Sequence, residues 1–137
     1  MRVVLDTNVV ASALVWGGVP HQLLQAARAK RLHLFTSTPL LIELADVLAR
    51  RKFAPKLAAI RFTIDEVIER YAELNTIVRP VSIARIAPDP DDDVVLATAL
   101  AARAAIVVTG DKGLLGIEQY QGVKIVSVIE VARKIAE

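Results

Sequence analysis

The sequence predicts a single α/β domain built on a parallel β-sheet. Five short apolar runs, rich in β-branched residues, alternate with segments whose apolar residues recur at helical spacing. This alternation favours parallel strands, because each helix carries the chain back across the sheet to start the next strand. The 137 residues are enough for one hydrophobic core, and no linker or repeat divides them, so residues 1–137 are expected to form one domain.

Apolar runs and turn residues give the order of the elements. The predicted strands are Val3–Leu5, Leu34–Thr36, Ile77–Val78, Ala105–Thr109 and Val123–Val126. The predicted helices are Val9–Trp16, Pro20–Lys30, Pro39–Arg51, Phe53–Ile60, Ile64–Leu74, Pro90–Arg103, Lys112–Ile117 and Ile129–Ala136. Thr38 and Thr63 are the expected N-caps of their helices, with Pro39 in the first helical position after Thr38.

Composition excludes several kinds of chemistry. The chain has no cysteine, which excludes disulfides, thiolate zinc sites and cysteine nucleophiles, and which fits a reducing cytoplasm. No apolar run approaches the length of roughly 18 residues that a membrane span needs, so no membrane association is expected. Asp6 also interrupts the N-terminus before a signal peptide could form.

Acidic residues follow two of the predicted strands and border one helix. Asp6 and Asp111 lie at the carboxyl ends of buried strands, where open α/β sheets place their ligands. If those strands are parallel neighbours, the two carboxylates converge at one edge of the sheet. Glu43 lies between Leu40 and Val47 on the border of an apolar helical stripe, and its side chain would lean toward the helix N-terminus. The alternative for Asp6 is that it caps the following helix.

The segment from Asp89 to Asp93 reads DPDDD and opens a predicted helix. Acidic residues at a helix N-terminus cap free N–H groups, and that simple role is one interpretation of the segment. Four acids within five residues repel one another, however, and Asp89 shares a helix face with Asp92 and Asp93. The interpretation favoured here is that they bind a cation, and oxygen-only ligands prefer Mg²⁺ or Mn²⁺ over zinc.

Four motifs together resemble the PIN-domain family, and in particular its toxin components, the VapC-like ribonucleases. LDTNV at Leu5–Val9 resembles the family's opening strand with its first acid, and LLIELADVLARRKF at Leu40–Phe53 resembles the helix that bears its glutamate. DDVVLATA at Asp92–Ala99 resembles the third motif, and IVVTGDKGLL at Ile106–Leu115 resembles the fourth. The motifs occur in the family's order and span nearly the whole chain.

This resemblance implies a three-layer α/β/α fold with a five-stranded parallel sheet in the order 3-2-1-4-5. It also implies a Mg²⁺- or Mn²⁺-dependent ribonuclease, usually a homodimer, whose partners are RNA and a neutralising antitoxin. The catalytic acids would be Asp6, Glu43, Asp92 and Asp111. Asp89 and Asp93 would be additional metal ligands, and Asp93 could exchange roles with Asp92. The alternative is a degenerate PIN domain that binds RNA or a protein without cleaving anything.

Further residues are expected to assist these acids. Thr7, Asn8 and Thr109 flank them and could orient water or phosphate oxygens, or could simply satisfy backbone groups. A basic segment could follow the RNA backbone, and Lys112 could contact a phosphate next to Asp111. The basic residues in that segment are Arg50, Arg51, Lys52 and Lys56. Trp16, next to Gly17 and Gly18, is expected to serve packing or an interface rather than base stacking.

Overall fold

A computed structural model of the chain describes residues 1–84 and 90–136, with the side chains of Pro90 and Asp91 left out. Within these residues the strands are β1 (Arg2–Leu5), β2 (His33–Thr36), β3 (Asn75–Ile77), β4 (Ile106–Val108), β5 (Gln119–Tyr120) and β6 (Val123–Val126). The helices are α1 (Thr7–Val15), α2 (Gly18–Arg28), α3 (Thr38–Leu48), α4 (Ala54–Ile60), α5 (Ile64–Glu73), α6 (Pro90–Ala102), α7 (Lys112–Ile117) and α8 (Val128–Ala136). A short 3₁₀ helix, Arg51–Phe53, separates α3 from α4.

The sheet is parallel around β1, as predicted. Its order across the described residues is β3-β2-β1-β4-β6-β5, and β1 pairs in parallel with both β2 and β4. Residues Val3, Val4 and Leu5 are at most 2% exposed, because the strand has helices on both faces. The predicted order 3-2-1-4-5 is confirmed for the five parallel strands, with the predicted fifth strand now numbered β6.

Two apolar layers form the core, one on each face of the sheet. Val3 and Leu5 point into a cluster with residues of α1, α2, α3, α5 and α8, whereas Val4 points into a cluster with residues of α6 and α7. This alternation follows from the two-residue period of a strand. The three-layer α/β/α arrangement expected from the sequence is therefore present.

A sixth strand, β5, corrects the prediction of five parallel strands. It pairs antiparallel with β6 through a two-residue turn, in which Gln121 and Gly122 have φ of 47° and 87°. Two positive φ angles are typical of a type I′ turn, whose twist matches that of a hairpin. This hairpin was hard to predict, because Gln-Gly is a weaker signal for such a turn than Asn-Gly.

Helix capping differs from the prediction at α3 and agrees with it at α5. Ser37 is the N-cap of α3 and Thr38 is already helical, so the expectation of a Thr38 cap was wrong by one residue. Thr63 caps α5 in a reciprocal capping box with Glu66, and the hydrogen bond from the Thr63 backbone N–H holds the pKa of Glu66 below its usual range.

The described part of the chain contains no helix that combines the length and the apolar character needed to cross a bilayer.

Candidate functional site

Asp6 is the most enclosed of the predicted acids that the structure describes. It directly follows β1, its side chain is only 4% exposed, and its backbone N–H donates to the Val108 carbonyl at 2.9 Å. Its Oδ1 accepts a 2.8 Å hydrogen bond from the Thr7 N–H at the start of α1. Asp6 is thus the N-cap of α1, which was the alternative interpretation of this residue. Capping engages one oxygen of the carboxylate, and the other oxygen has a different partner.

Thr109 joins Asp6 to the segment that carries Asp111. Its Oγ1 donates to Asp6 Oδ2 at 2.7 Å and accepts a 3.0 Å hydrogen bond from the Asp111 N–H. Thr109 is fully buried, and its own N–H donates to the Val126 carbonyl of β6 at 3.0 Å. One hydroxyl therefore connects the chain after β1 to the chain after β4, so Asp6 and Asp111 lie at the same edge of the sheet. The convergence of their two carboxylates stays a prediction.

Asp111 differs from Asp6 in that it is exposed to solvent. It is the N-cap of α7, with Oδ2 accepting a 2.9 Å hydrogen bond from the Leu114 N–H. Its Oδ1 makes no hydrogen bond to any residue in the described ranges, and so can contact a ligand from solvent. Lys112, the first residue of α7, is also exposed beside it.

A cavity of about 400 Å³ lies beside Asp111, and Asn8 and Ser12 of α1 also line it. Asn8 and Asp111 therefore face the same solvent-filled space. Thr7 points inward and is only 2% exposed, and its Oγ1 finds no hydrogen-bond partner in residues 1–84 or 90–136. A buried hydroxyl without a partner is costly, so Thr7 Oγ1 is an unsatisfied polar atom directly after Asp6.

Glu43 is half-buried in the middle of α3, on the border of the apolar stripe, as predicted.

A buried polar pair, which the sequence analysis missed, holds the start of α3 against α6. Ser37 and Thr98 are both 0% exposed, their hydroxyl oxygens are 2.8 Å apart, and Thr98 Oγ1 donates to the Val94 carbonyl at 2.8 Å. Since the Thr98 proton is used in this way, Ser37 donates to Thr98. Thr98 within the apolar run VVLATALAA was the available signal.

The acidic segment before α6 is described only in part. Asp92 and Asp93 lie in the first turns of α6 and are half-buried. Asp89, a predicted ligand, lies outside the described residues. Among the residues that are described, no three acidic or histidine side chains stand close enough together to enclose a metal ion. The assembly of the predicted metal ligands thus stays a prediction.

The basic segment lies away from the acidic edge of the sheet. Helix α3 starts directly after β2 and has 11 residues, so its far end is about 16 Å from the edge at a rise of about 1.5 Å per residue. Arg50, Arg51, Lys52 and Lys56 follow that far end and are all exposed. The basic residues are therefore separated from Asp6 by about the length of α3.

Comparisons with known proteins agree with this geometry. A family model described as a PIN domain matches residues 2–113. A solved structure described as VapBC2 from Rickettsia felis bound to a DNA fragment from their promoter superimposes with a TM-score of 0.61. The match covers 93% of this chain and 98% of that chain at 14% sequence identity, so it shows likeness of fold. A comparison with curated proteins gave no match.

Proposed function

Because this chain belongs to the PIN-domain family, we propose that it is a divalent-metal-dependent ribonuclease and the toxin of a toxin–antitoxin pair. One observation carries the proposal: the hydroxyl of Thr109 connects Asp6 at the end of β1 to Asp111 at the end of β4. Two acids from separate strands are thereby positioned at the edge where α/β sheets bind their ligands.

The donor chemistry at this edge fits Mg²⁺ or Mn²⁺. Carboxylate oxygens are the ligands these ions prefer, and Asp111 Oδ1 and Thr7 Oγ1 are oxygens with no hydrogen bond among the described residues. The residues proposed to hold the ion are Asp6, Glu43, Asp92 and Asp111, with Asp89 and Asp93 as further ligands. When bound, such an ion supplies an activated water and neutralises charge at the leaving oxygen of a phosphodiester.

The protein's own contribution is positioning. Thr109 and the Thr7 N–H fix both oxygens of Asp6, so this buried carboxylate keeps one orientation without relying on solvent. Asn8 lies in the cavity beside Asp111, where its amide can orient a water or a phosphate oxygen. The hydrogen bond from Ser37 to Thr98 holds α3 against α6, and so fixes the helix of Glu43 relative to that of Asp92.

The proposed substrate is RNA whose backbone extends from the acids to the exposed basic segment. Lys112 would contact a phosphate next to Asp111, and Arg50, Arg51, Lys52 and Lys56 would contact phosphates farther along. The toxin assignment draws on the likeness to a structure whose description names a VapBC pair. A cognate antitoxin, a homodimer and a cytoplasmic location belong to the same proposal.

A substitution series on RNA cleavage tests the proposal. Asp6→Asn and Asp111→Asn should abolish cleavage of a labelled single-stranded RNA in the presence of Mn²⁺. Asp46→Asn is the matched control, because Asp46 is an exposed acid on α3 that faces solvent, and it should cleave like the parent chain. If the parent chain binds RNA but cleaves none with either metal, the alternative of a degenerate PIN domain is correct.

A further inference from the structure

Trp16 has one covered face and one open face. Its indole ring stacks on the ring of Phe53, with centroids 4.8 Å apart and planes 25° apart. Phe53 is only 1% exposed and belongs to the core, whereas Trp16 is 47% exposed. The core therefore holds the indole from one side in a fixed orientation. The sequence favoured packing or an interface for Trp16, and this packing uses only one of its two faces.

Lys52 lies beside this aromatic pair and leaves the outer indole face uncovered. Its Nζ is 5.7 Å from the Trp16 ring centroid and 5.2 Å from the Phe53 ring centroid. These distances and the 4.8 Å between the rings form a nearly equilateral triangle, so the ammonium group sits at the side of the stack. A cation above the outer face of Trp16 would be much farther from Phe53.

The surroundings of Trp16 are positively charged and open. Arg50 and Arg51 precede Lys52 and are exposed, and no acidic residue occurs between Asp46 and Asp65 in the sequence. The next residue after Trp16 is Gly17, which has φ of +76° and no side chain of its own, and apart from its chain neighbours no atom lies within 4 Å of its Cβ position. About half of the Trp16 surface is open to solvent, so a flat ligand can reach the indole.

We propose that Trp16 is a stacking platform for a base of single-stranded RNA, with Arg50, Arg51 and Lys52 binding the neighbouring phosphates. This inference rests on the proposed function, which it deepens by naming a substrate contact far from the acids. Exposed aromatic rings beside cations are how proteins hold single strands without reading their sequence, since every base has a π-face. A protein partner is less favoured, because a run of three exposed cations with no acid near it in the sequence suits a polyanion.

The position of Trp16 sets a minimum length for the RNA that uses it. Helix α1 has nine residues between Asp6 and Trp16, which spans about 13 Å at a rise of about 1.5 Å per residue. That distance corresponds to about four stacked nucleotides at about 3.4 Å each. Substitution of Trp16 should therefore raise KM for long single strands and leave kcat and the cleavage of very short RNAs unchanged.

Fluorescence tests the platform directly, because Trp16 is the only tryptophan in the chain. The full chain in EDTA, so that the RNA stays intact, is titrated with oligoadenylate and with an abasic ribose-phosphate oligomer of equal length. Oligoadenylate should quench the emission and the abasic oligomer should not. Trp16→Leu, which still covers Phe53, should weaken oligoadenylate binding by about 5- to 150-fold, as measured by anisotropy of the labelled RNA. Trp16→Phe should restore most of that affinity.

The control is Ile77→Ala, which truncates another exposed apolar side chain and should bind like the parent. If oligoadenylate binds without changing the emission of the parent, and Trp16→Leu binds it as tightly as the parent does, the platform is wrong and the ribonuclease proposal stands. If the emission shifts with protein concentration alone, a second copy of the chain covers Trp16 and the platform is wrong. If the parent neither binds RNA nor cleaves it with metal, the proposed function fails and the platform fails with it.

Discussion

Replacing Thr109 with valine removes the hydroxyl that links Asp6 to Asp111 and keeps the size and branching of the side chain. The change costs a hydrogen bond from a buried donor to a carboxylate, which is about 1.5–3 kcal/mol, and leaves the Asp111 N–H without its acceptor, about 0.5–1 kcal/mol more. The expected loss of unfolding free energy is therefore about 2–4 kcal/mol. At an unfolding entropy of about 2.1 cal/mol/K per residue, this lowers the melting temperature by about 7–14 °C.

Thermal unfolding of the parent, Thr109→Val and Thr109→Ser, followed by circular dichroism in EDTA, measures this effect. Serine keeps the hydroxyl and loses one buried methyl group, which costs about 1 kcal/mol, or about 3–4 °C. A double-mutant cycle with Asp6→Asn should show coupling, because valine costs less once the carboxylate is gone. If Thr109→Val melts no lower than Thr109→Ser, the hydroxyl does not hold the two acids together and the argument for the site is refuted.

Three further predictions concern the basic segment, the core and the acidic segment. Replacing Arg50–Lys52 by alanine should weaken RNA binding and lower its salt slope by about 0.7 for each lost phosphate contact, and an unchanged slope in salt titrations would show that these residues face elsewhere. Burial raises the pKa of Tyr71, so the unfolded state ionises first and stability should fall as pH rises above the usual value of 10.0. Above pH 10.0 the melting temperature of Tyr71→Phe should fall less than that of the parent. An equal fall in both proteins would show that ionisation of Tyr71 is not the cause. Asp92→Asn should reduce the thermal stabilisation given by Mn²⁺, which is about 2.7 kcal/mol at a hundredfold excess over Kd. If Asp93→Asn loses more of the Mn²⁺ stabilisation than Asp92→Asn does, Asp93 is the principal ligand of the pair.

The parallel strands could be predicted because their sequences carry the physical cause of their burial. Val3, Val4 and Leu5 are apolar on both faces, and a strand covered by helices on both sides requires that. The edge strand β3 was placed too late, at Ile77–Val78, because it is largely exposed and shows no apolar pattern. Its register is set by pairing with β2, where Thr36 lies opposite Ile77, and that pairing is not visible in the local sequence.

The site was predictable where position along a strand determines it. Asp6 and Asp111 follow neighbouring parallel strands, so their placement at one edge of the sheet needed only the strand order. The contact of Ser37 with Thr98 was missed, because it joins residues 61 positions apart and depends on how α3 packs against α6. The two interpretations of Asp6 are compatible, since a carboxylate has two oxygens and only one of them caps α1.

Metal add-back to the protein after removal of bound ions tests the central claim most directly. The parent chain is treated with EDTA, dialysed, and titrated with Mn²⁺ or Mg²⁺ while cleavage of a single-stranded RNA is followed. Cleavage should be absent without metal and rise to a plateau as metal is added, whereas Asp6→Asn should stay inactive at every concentration. Full cleavage by the parent in EDTA, or a normal titration curve for Asp6→Asn, would contradict the account.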